Sequence, residues 1–201
     1  FEMAARDIRA LPKLEGTVHV NIALIVKFMP NYFFAPAEYA DLPQQNAPGN
    51  DDFLFDQGPT RGLGKIRFHD YKIAFEHYDL PNVNLFAVQV AVFKEFLAMA
   101  PPDDAQNKAI DFLMAMGELF ALVVYAQLVL ENAKIYAMDE VLVDQIFDFM
   151  VRDFSKFVLQ LYGKPSSTAE QMAFCQRMLR KAVIDEGRYQ KVWLEHVYAL
   201  K

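Results

Sequence analysis

The sequence predicts an all-α fold in the form of a helical bundle. From residue 81 onward, apolar side chains recur every three or four residues, which is the period of a helix face packed on a core. Short segments rich in Pro, Gly and capping residues separate these stretches, as expected for connections between helices. No segment suggests parallel strands.

Composition excludes several classes of protein. The 201 residues are 54% hydrophobic, which is enough for one large helical domain or two small ones. The net charge is -6 and the basic residues are scattered, so we expect no nucleic-acid partner. Cys175 is the single cysteine, so there is no internal disulfide framework. The longest apolar run, 119–130, is interrupted by Gln127 and is shorter than the roughly 20 residues that cross a bilayer, so we expect no transmembrane segment.

The first thirty residues predict the end of one helix, a loop at 11–16 and a second helix at about 18–29. Thr17 is a suitable N-cap, because its hydroxyl can accept a hydrogen bond from the first helical turn. Pro30 is expected to end this helix. Apolar residues at helical spacing predict its buried face. They are Val18, Ile22, Ile25 and Met29.

The sequence of residues 31–80 predicts an ordered connector. Several prolines and glycines break any long helix, while aromatic clusters would attach the segment to a surface. We expect at most one short helix, near Tyr71–His77. Imidazole and acidic side chains occur close together here, but their spacing matches no metal site, so we expect a solvated surface cluster and no metal. They are His69, Asp70, Glu76, His77 and Asp79.

Residues 81–201 predict an additional helical bundle. Helices are expected at about 82–99, 104–135, 138–162, 167–184 and 187–200. The breaks fall at 101–103 and 163–166, where an Asp and a Ser or Thr can cap the helix that follows. The last three helices are joined by short loops, which favours antiparallel neighbours in a bundle.

A candidate site precedes the helix at 18–29. Arg6-Asp7 is followed by a short loop and then by Glu15-Gly16-Thr17. Gly16 carries no side chain that would crowd a bound thioester or cofactor. A helix that begins after Thr17 offers free N–H groups and a positive dipole end, which suit a phosphate or pyrophosphate.

Taken together, residues 6–17 resemble the last catalytic segment of the acyl-CoA dehydrogenases, which carry Arg-Asp and Glu-Gly-Thr at this spacing. The resemblance implies that Glu15 is the base that removes the substrate α-proton, while FAD accepts the β-hydride. Burial against substrate and flavin would raise the pKa of such a base. The backbone N–H of Glu15 would also help to hold the thioester carbonyl.

The resemblance also assigns binding roles. It implies that Leu14, Glu15 and Gly16 contact the substrate. The flavin nucleotide would be contacted by Gly16, Thr17, Val18 and His19. This chain departs from the family pattern at two places: Leu14 replaces the usual aromatic residue, and the helix start at 18–21 lacks the commoner Gln and Arg.

The resemblance further implies that the chain is the C-terminal part of a larger FAD enzyme. Residues 1–30 would end its C-terminal helical domain and 31–80 would be a connector. The bundle at 81–201 is similar in position and helical pattern to the extra domain of the very-long-chain branch. The implied partners are an acyl-CoA substrate, an electron-transfer flavoprotein and further copies in a homodimer or homotetramer. The implied location is cytoplasmic in a bacterium and mitochondrial in a eukaryote, and no targeting signal is visible in the chain.

Three alternatives remain open at the level of sequence. The enzyme is equally compatible with an acyl-CoA oxidase, which belongs to the same family. Some relatives carry the base on a different helix. A reading from another class is a non-catalytic all-α interaction or oligomerisation domain, in which Glu15 merely precedes a capped helix.

Overall fold

The structure, a computed structural model, describes residues 17–37 and 66–200, together with Met3. The α-helices are α1 (Val18–Ile25), α2 (Met29–Phe34), α3 (Tyr71–Glu76), α4 (Pro81–Met99), α5 (Ile110–Ile135), α6 (Glu140–Tyr162), α7 (Ala169–Met178) and α8 (Glu186–Val192). Short 3-10 turns occur at Val26–Phe28, Gln106–Lys108 and Tyr198–Leu200, and a π-helical turn at Trp193–Val197. Within the described ranges the only β-type pairing is an isolated bridge between Ala37 and His69. The all-α prediction is confirmed.

Four helices, α4 to α7, form what we call the bundle. Helix α6 packs against α4, α5 and α7, and α7 also packs against α4. Aromatic rings fill the contact between α4 and α6: the ring of Phe154 meets Phe86 at 5.4 Å and Phe93 at 6.1 Å, both edge to face. All three side chains are fully buried, so this cluster forms the centre of the core.

Helices α2 and α3 complete the same core. The ring of Phe33 in α2 lies 5.8 Å from Phe93 of α4 and 5.8 Å from Phe120 of α5. Phe75 of α3 lies 6.0 Å from Phe86 of α4. Described residues of 1–30, 31–80 and 81–201 therefore contribute to one hydrophobic core. The division of the chain into three parts stays a prediction.

Helix α1, which has eight residues, lies on α5 and is little buried. It contains no fully buried residue, although its residues are strongly apolar. Val18 was expected on the buried face but is 46% exposed, because it lies in the first turn at the open end of the helix. Val20 and Leu24 are exposed on the face turned away from α5.

The expectation that Pro30 ends a helix is wrong. After α1 the chain tightens into the 3-10 turn Val26–Phe28, and α2 begins at Met29 with Pro30 in its first turn. A proline is tolerated there because the first N–H groups of a helix have no intrahelical acceptor. We call residues 17–34, which comprise α1, the 3-10 turn and α2, the leading segment.

Two helix ends in the bundle also differ from expectation. The helix predicted at 104 begins at Ile110, because Asp103 Oδ1 accepts the N–H groups of Ala105 and Gln106 and closes a 3-10 turn instead. The helix predicted to reach 184 ends at Met178. Beyond it, Ser155 Oγ accepts the N–H of Arg180 at 3.1 Å and donates to its carbonyl oxygen at 2.8 Å.

Length and composition alone would allow α4 and α5 to cross a membrane. In the structure, 44% of the relevant stretch of α4 and 50% of that of α5 is buried within the fold. Core helices of soluble proteins have the same composition, so these two helices are weak grounds for a membrane span. The absence of a transmembrane segment stays a prediction.

Candidate functional site

The site predicted from sequence lies at the start of α1, and the structure describes only part of it. Leu14, Glu15 and Gly16 lie outside the described residues, as does the Arg6-Asp7 pair. The roles assigned to these positions stay predictions. The part of the site that the structure does describe is the first turn of α1.

Thr17 caps α1, as the sequence predicts. Its backbone is extended, with φ -73° and ψ 152°, and its Oγ1 accepts the N–H of Val20 at 3.3 Å. Its carbonyl oxygen accepts the N–H of Asn21 at 3.1 Å. The side chains of Val18 and His19 are exposed next to this cap. Three of the four predicted cofactor-binding residues are therefore consecutive exposed residues at the start of α1.

Gly117 of α5 lies directly beneath α1. A Cβ atom at Gly117 would lie 2.2 Å from the carbonyl oxygen of Ile22 and 2.7 Å from its Cγ2. Real Cβ atoms essentially never approach other atoms so closely, so the side chain of any other residue would force the two helices apart. The place of α1 on the bundle therefore depends on this glycine.

A chain of polar side chains connects α2, α5 and the segment before α3. Tyr32 donates its hydroxyl to Gln127 Oε1 at 2.6 Å, and Gln127 Nε2 donates to Glu131 Oε1 at 2.7 Å. His69 Nδ1 lies 2.8 Å from the same Glu131 oxygen. Burial raises the pKa of Tyr32 well above its ordinary value, and the charge of Glu131 adds to the shift. His69 is thus partly buried in an internal contact, so the expected solvated surface cluster is wrong for His69, whereas Glu76, His77 and Asp79 are exposed as expected.

A pocket of about 180 Å³ opens beside this polar chain. Its walls combine titratable groups with apolar side chains. They include His69, His77, Glu131, Lys134, Ile73 and Leu130. Sites for drug-sized ligands and cofactors typically enclose about 300–1,000 Å³, so this pocket is too small for an acyl-CoA or a flavin.

Arg188 lies between two buried carboxylates of α6. It donates to Asp144 and, through Nη2 at 2.9 Å, to Asp148. Asn82 of α4 completes the environment of Asp144 with hydrogen bonds from its backbone N–H at 2.8 Å and its side-chain Nδ2 at 3.1 Å. The second oxygen of Asp148 faces Arg152 as an ion pair, though without hydrogen-bond geometry. These charges satisfy one another, so we interpret the cluster as the attachment of α8 to α6.

One group of side chains in the described ranges could hold a metal ion by geometry. Ligand atoms of Asp139, Glu195 and His196 lie within 4.8 Å of one another. However, Lys191 Nζ already lies 3.4 Å from Asp139 and 3.9 Å from Glu195. The pKa of Asp139 is lowered, chiefly by the hydrogen bond from the Val141 N–H. One ammonium group therefore already pairs with both carboxylates of this partly exposed cluster, and we assign no metal to it.

Cys175 is a core thiol. It is fully buried in α7, and burial raises its pKa to about 12. Because the thiolate is the reactive form of cysteine, a thiol with such a pKa is chemically inert near neutral pH.

Sequence reasoning missed Gly117 and the polar chain, although both leave a local signal. Gly117 is a glycine inside a long apolar helix, where it is less favourable than alanine and therefore needs a packing reason. Gln127 is the polar interruption of the apolar run at 119–130. Neither signal names its partner, because Ile22 and Tyr32 are remote in sequence.

Comparisons of the chain with protein-family models, with curated proteins and with solved structures found no match. The interpretation of the site therefore depends on the motif at residues 6–17 and on the geometry of α1.

Proposed function

We propose that the chain is the C-terminal part of an FAD-dependent acyl-CoA dehydrogenase, which oxidises an acyl-CoA to the trans-2-enoyl-CoA. The observation that carries the proposal is the motif itself: Arg6-Asp7, a short loop, and Glu15-Gly16-Thr17 directly before a helix. The observed cap at Thr17 supports it, because the resemblance requires that a helix begin immediately after this tripeptide.

In this proposal the chain's own residues perform the acid–base part of the reaction. The carboxylate of Glu15 takes the α-proton of the thioester and retains it as a carboxylic acid. The backbone N–H of Glu15 donates to the thioester carbonyl, where negative charge develops as the proton leaves. Leu14 and Gly16 line the acyl side of the site. FAD, when bound, supplies the oxidising power by accepting the hydride from the β-carbon.

The described residues fit one wall of a flavin nucleotide site. The exposed start of α1 presents first-turn N–H groups and the positive end of the helix dipole, which is the chemistry that binds a pyrophosphate. Thr17, Val18 and His19 lie at that start and are exposed. The flavin ring has to be held by other parts of the enzyme, so tight FAD binding is expected only in the complete polypeptide.

The remaining assignments follow from the proposed family. Electrons pass to an electron-transfer flavoprotein, and the enzyme forms a homodimer or homotetramer. Its location is cytoplasmic in a bacterium or mitochondrial in a eukaryote. If molecular oxygen replaces the flavoprotein as acceptor, the enzyme is an acyl-CoA oxidase with the same base.

A second candidate function is supported by the outer face of α1. Val20 and Leu24 are 49% and 50% exposed there, on a helix that buries no residue completely. Exposed apolar side chains of this kind are typical of a surface that another protein or domain covers. In this alternative the chain is a non-catalytic interaction domain and Glu15 has no chemical role.

The substitution Glu15→Gln in the complete enzyme distinguishes the two functions. The amide keeps the size of the side chain but cannot accept the α-proton, so turnover of acyl-CoA should fall by roughly 10²–10⁴-fold. Flavin absorbance should be unchanged, because the substitution removes no predicted flavin contact. Glu170→Gln, at an exposed position of α7, is the matched control and should retain full activity.

Near-normal turnover by the Glu15→Gln variant would show that the base lies elsewhere. If the unaltered complete protein neither binds FAD nor oxidises any acyl-CoA, the interaction domain becomes the better explanation.

A further inference from the structure

The contact between α1 and α5 is a contact between two helix backbones. A Cβ atom at Gly117 would lie 2.2 Å from the carbonyl oxygen and 2.9 Å from the carbonyl carbon of Ile22. Both of these atoms belong to the backbone, so rotation of the Ile22 side chain cannot relieve the overlap. Gly117 is buried beneath the crossing. The two helices can approach this closely only because position 117 has no side chain.

A second contact fixes the direction of the leading segment. Tyr32 of α2 donates to Gln127 of α5 at 2.6 Å. Because Ile22 meets Gly117 and Tyr32 meets Gln127, the leading segment follows α5 in the same direction. The α2 end is also held by buried aromatic rings. The α1 end buries no residue completely, and among the described residues its backbone approaches α5 closely at Gly117.

We propose that Gly117 is a positioning residue, through which the bundle sets the place of the first turn of α1, where the candidate cofactor contacts Thr17, Val18 and His19 lie. This inference rests on the proposed function. Thr17 precedes Ile22 by about 7–8 Å along the helix, so a shift at the crossing is carried to the cap as a rigid movement. Glu15 lies two residues before that cap. The cap that follows the candidate base in the sequence is therefore placed by a residue of α5 that has no assigned contact with substrate or cofactor.

The substitution Gly117→Ala distinguishes a positioning role from an effect on helix stability. In a helix interior, Gly→Ala normally stabilises, because glycine loses more conformational entropy on folding. Here the new methyl group has to move from 2.2 Å to at least the 3.4 Å of ordinary van der Waals contact, which displaces α1 by an ångström or more. Misplacement of a catalytic group by about 1 Å can lower the rate by about 10²-fold.

The test combines amide hydrogen exchange on this chain with turnover by the complete enzyme. In Gly117→Ala we expect residues 17–25 to lose protection while α5 retains it. In the complete enzyme we expect kcat to fall by about 10²-fold, because the proposed catalytic and flavin contacts adjoin, in the sequence, the helix start that moves. Gly163→Ala is the matched control, since its Cβ would meet Leu159 at an ordinary 3.4 Å.

A double variant tests whether the backbone or the side chain of Ile22 causes the displacement of α1. Ile22→Ala combined with Gly117→Ala removes the Cγ2 contact but leaves the carbonyl oxygen in place, so neither protection nor turnover should recover. Recovery in the double variant would overturn the backbone contact on which the inference depends.

Three further results would each reject the positioning role of Gly117. Unchanged protection of residues 17–25 in Gly117→Ala overturns the positioning role, whatever happens to turnover. Loss of protection throughout α5 and α6 overturns it as well, because Gly117 would then serve the whole bundle. Displacement of α1 with unchanged kcat also overturns it. Full activity of Glu15→Gln, by contrast, rejects the proposed base and leaves the exchange measurement to decide whether Gly117 holds α1.

Discussion

The bundle and the leading segment are both apolar and helical, but they use their apolar residues differently. Helix α6 of the bundle has a clear polar side, and it buries Phe147, Phe154 and Leu161 completely. Helix α1 of the leading segment is more apolar along its whole length, yet it buries no residue completely. Burial in this protein is therefore set by the place of a helix in the fold more than by its hydrophobicity.

The two regions are therefore expected to have different roles in stability and in the candidate function. The bundle contains the aromatic core and the buried charges, so its substitutions should change the free energy of unfolding. The leading segment carries the candidate site and is held to α5 by specific contacts, notably at Gly117 and Gln127. Substitutions in its outer face should therefore alter contacts with other parts of the protein with little effect on stability.

The largest effect on stability is expected from Phe154→Ala in the bundle. This ring is fully buried against Phe86 and Phe93, so its removal leaves a cavity and should lower the free energy of unfolding by about 3–5 kcal/mol. Phe149→Ala on the same helix removes a ring that is 54% exposed and should cost far less. Urea unfolding measures both.

The same measurement on Leu24→Ala in α1 tests the comparison directly. Leu24 is 50% exposed, and surface substitutions usually change stability by about 0.5 kcal/mol or less. A loss as large as that of Phe154→Ala would show that α1 belongs to the stability core, and would break the contrast between the two regions.

A smaller but still large effect is expected from Arg188→Ala. The change leaves Asp144 and Asp148 buried without their guanidinium partner, which should destabilise the fold by on the order of 3 kcal/mol. Arg177→Ala is the matched control. Arg177 pairs with Glu95 at 2.5 Å, but both side chains are about half exposed, and such surface pairs contribute about 0–1 kcal/mol. Equal losses in the two variants would contradict a structural role for the Arg188 cluster.

A pH-dependent effect is expected under alkaline conditions, where the leading segment meets α3. Burial raises the pKa of Tyr71 from 10.0 to about 12, with a further contribution from Asp70. The unfolded chain loses this proton near pH 10 while the folded protein keeps it. The associated stability is therefore fully present below pH 10 and is lost as the pH rises toward 12.

The variant Tyr71→Phe should consequently lose stability less steeply between pH 10 and pH 12 than the unaltered protein does. Cys175, whose pKa is also raised to about 12, acts in the same direction, but it is present in both proteins and its contribution cancels. Denaturant unfolding at several pH values measures the two slopes. Identical slopes would show that the Tyr71 hydroxyl is not buried against the leading segment.

The part of the candidate site that sequence could predict is local. The motif at residues 6–17 and the cap at Thr17 are patterns of neighbouring residues, and the cap forms as predicted. The support of that site could not be predicted, because Gly117 and Ile22 meet only after α1 has docked on α5. A glycine within a helix indicates that something packs closely there, but the identity of the neighbour depends on the whole fold.

By itself, the sequence determined the helical class, the positions of most helices and several of their caps. The Ser or Thr cap expected after the break at 163–166 is Thr168, which caps α7 and forms a full capping box with Gln171. These features follow from interactions within a few residues, so the spacing of residue types is enough to reveal them.

Only the tertiary structure decided which apolar faces are buried and where some helices end. Residues beyond Met178 leave the helix because Asn82 accepts the N–H of Val183 at 2.8 Å and Ser155 binds the backbone of Arg180. Val18 has the spacing of a core residue but stays exposed at the open end of α1. In each case the deciding partner is distant in the sequence, and its hydrogen bond or packing outweighs the small local preference of the chain.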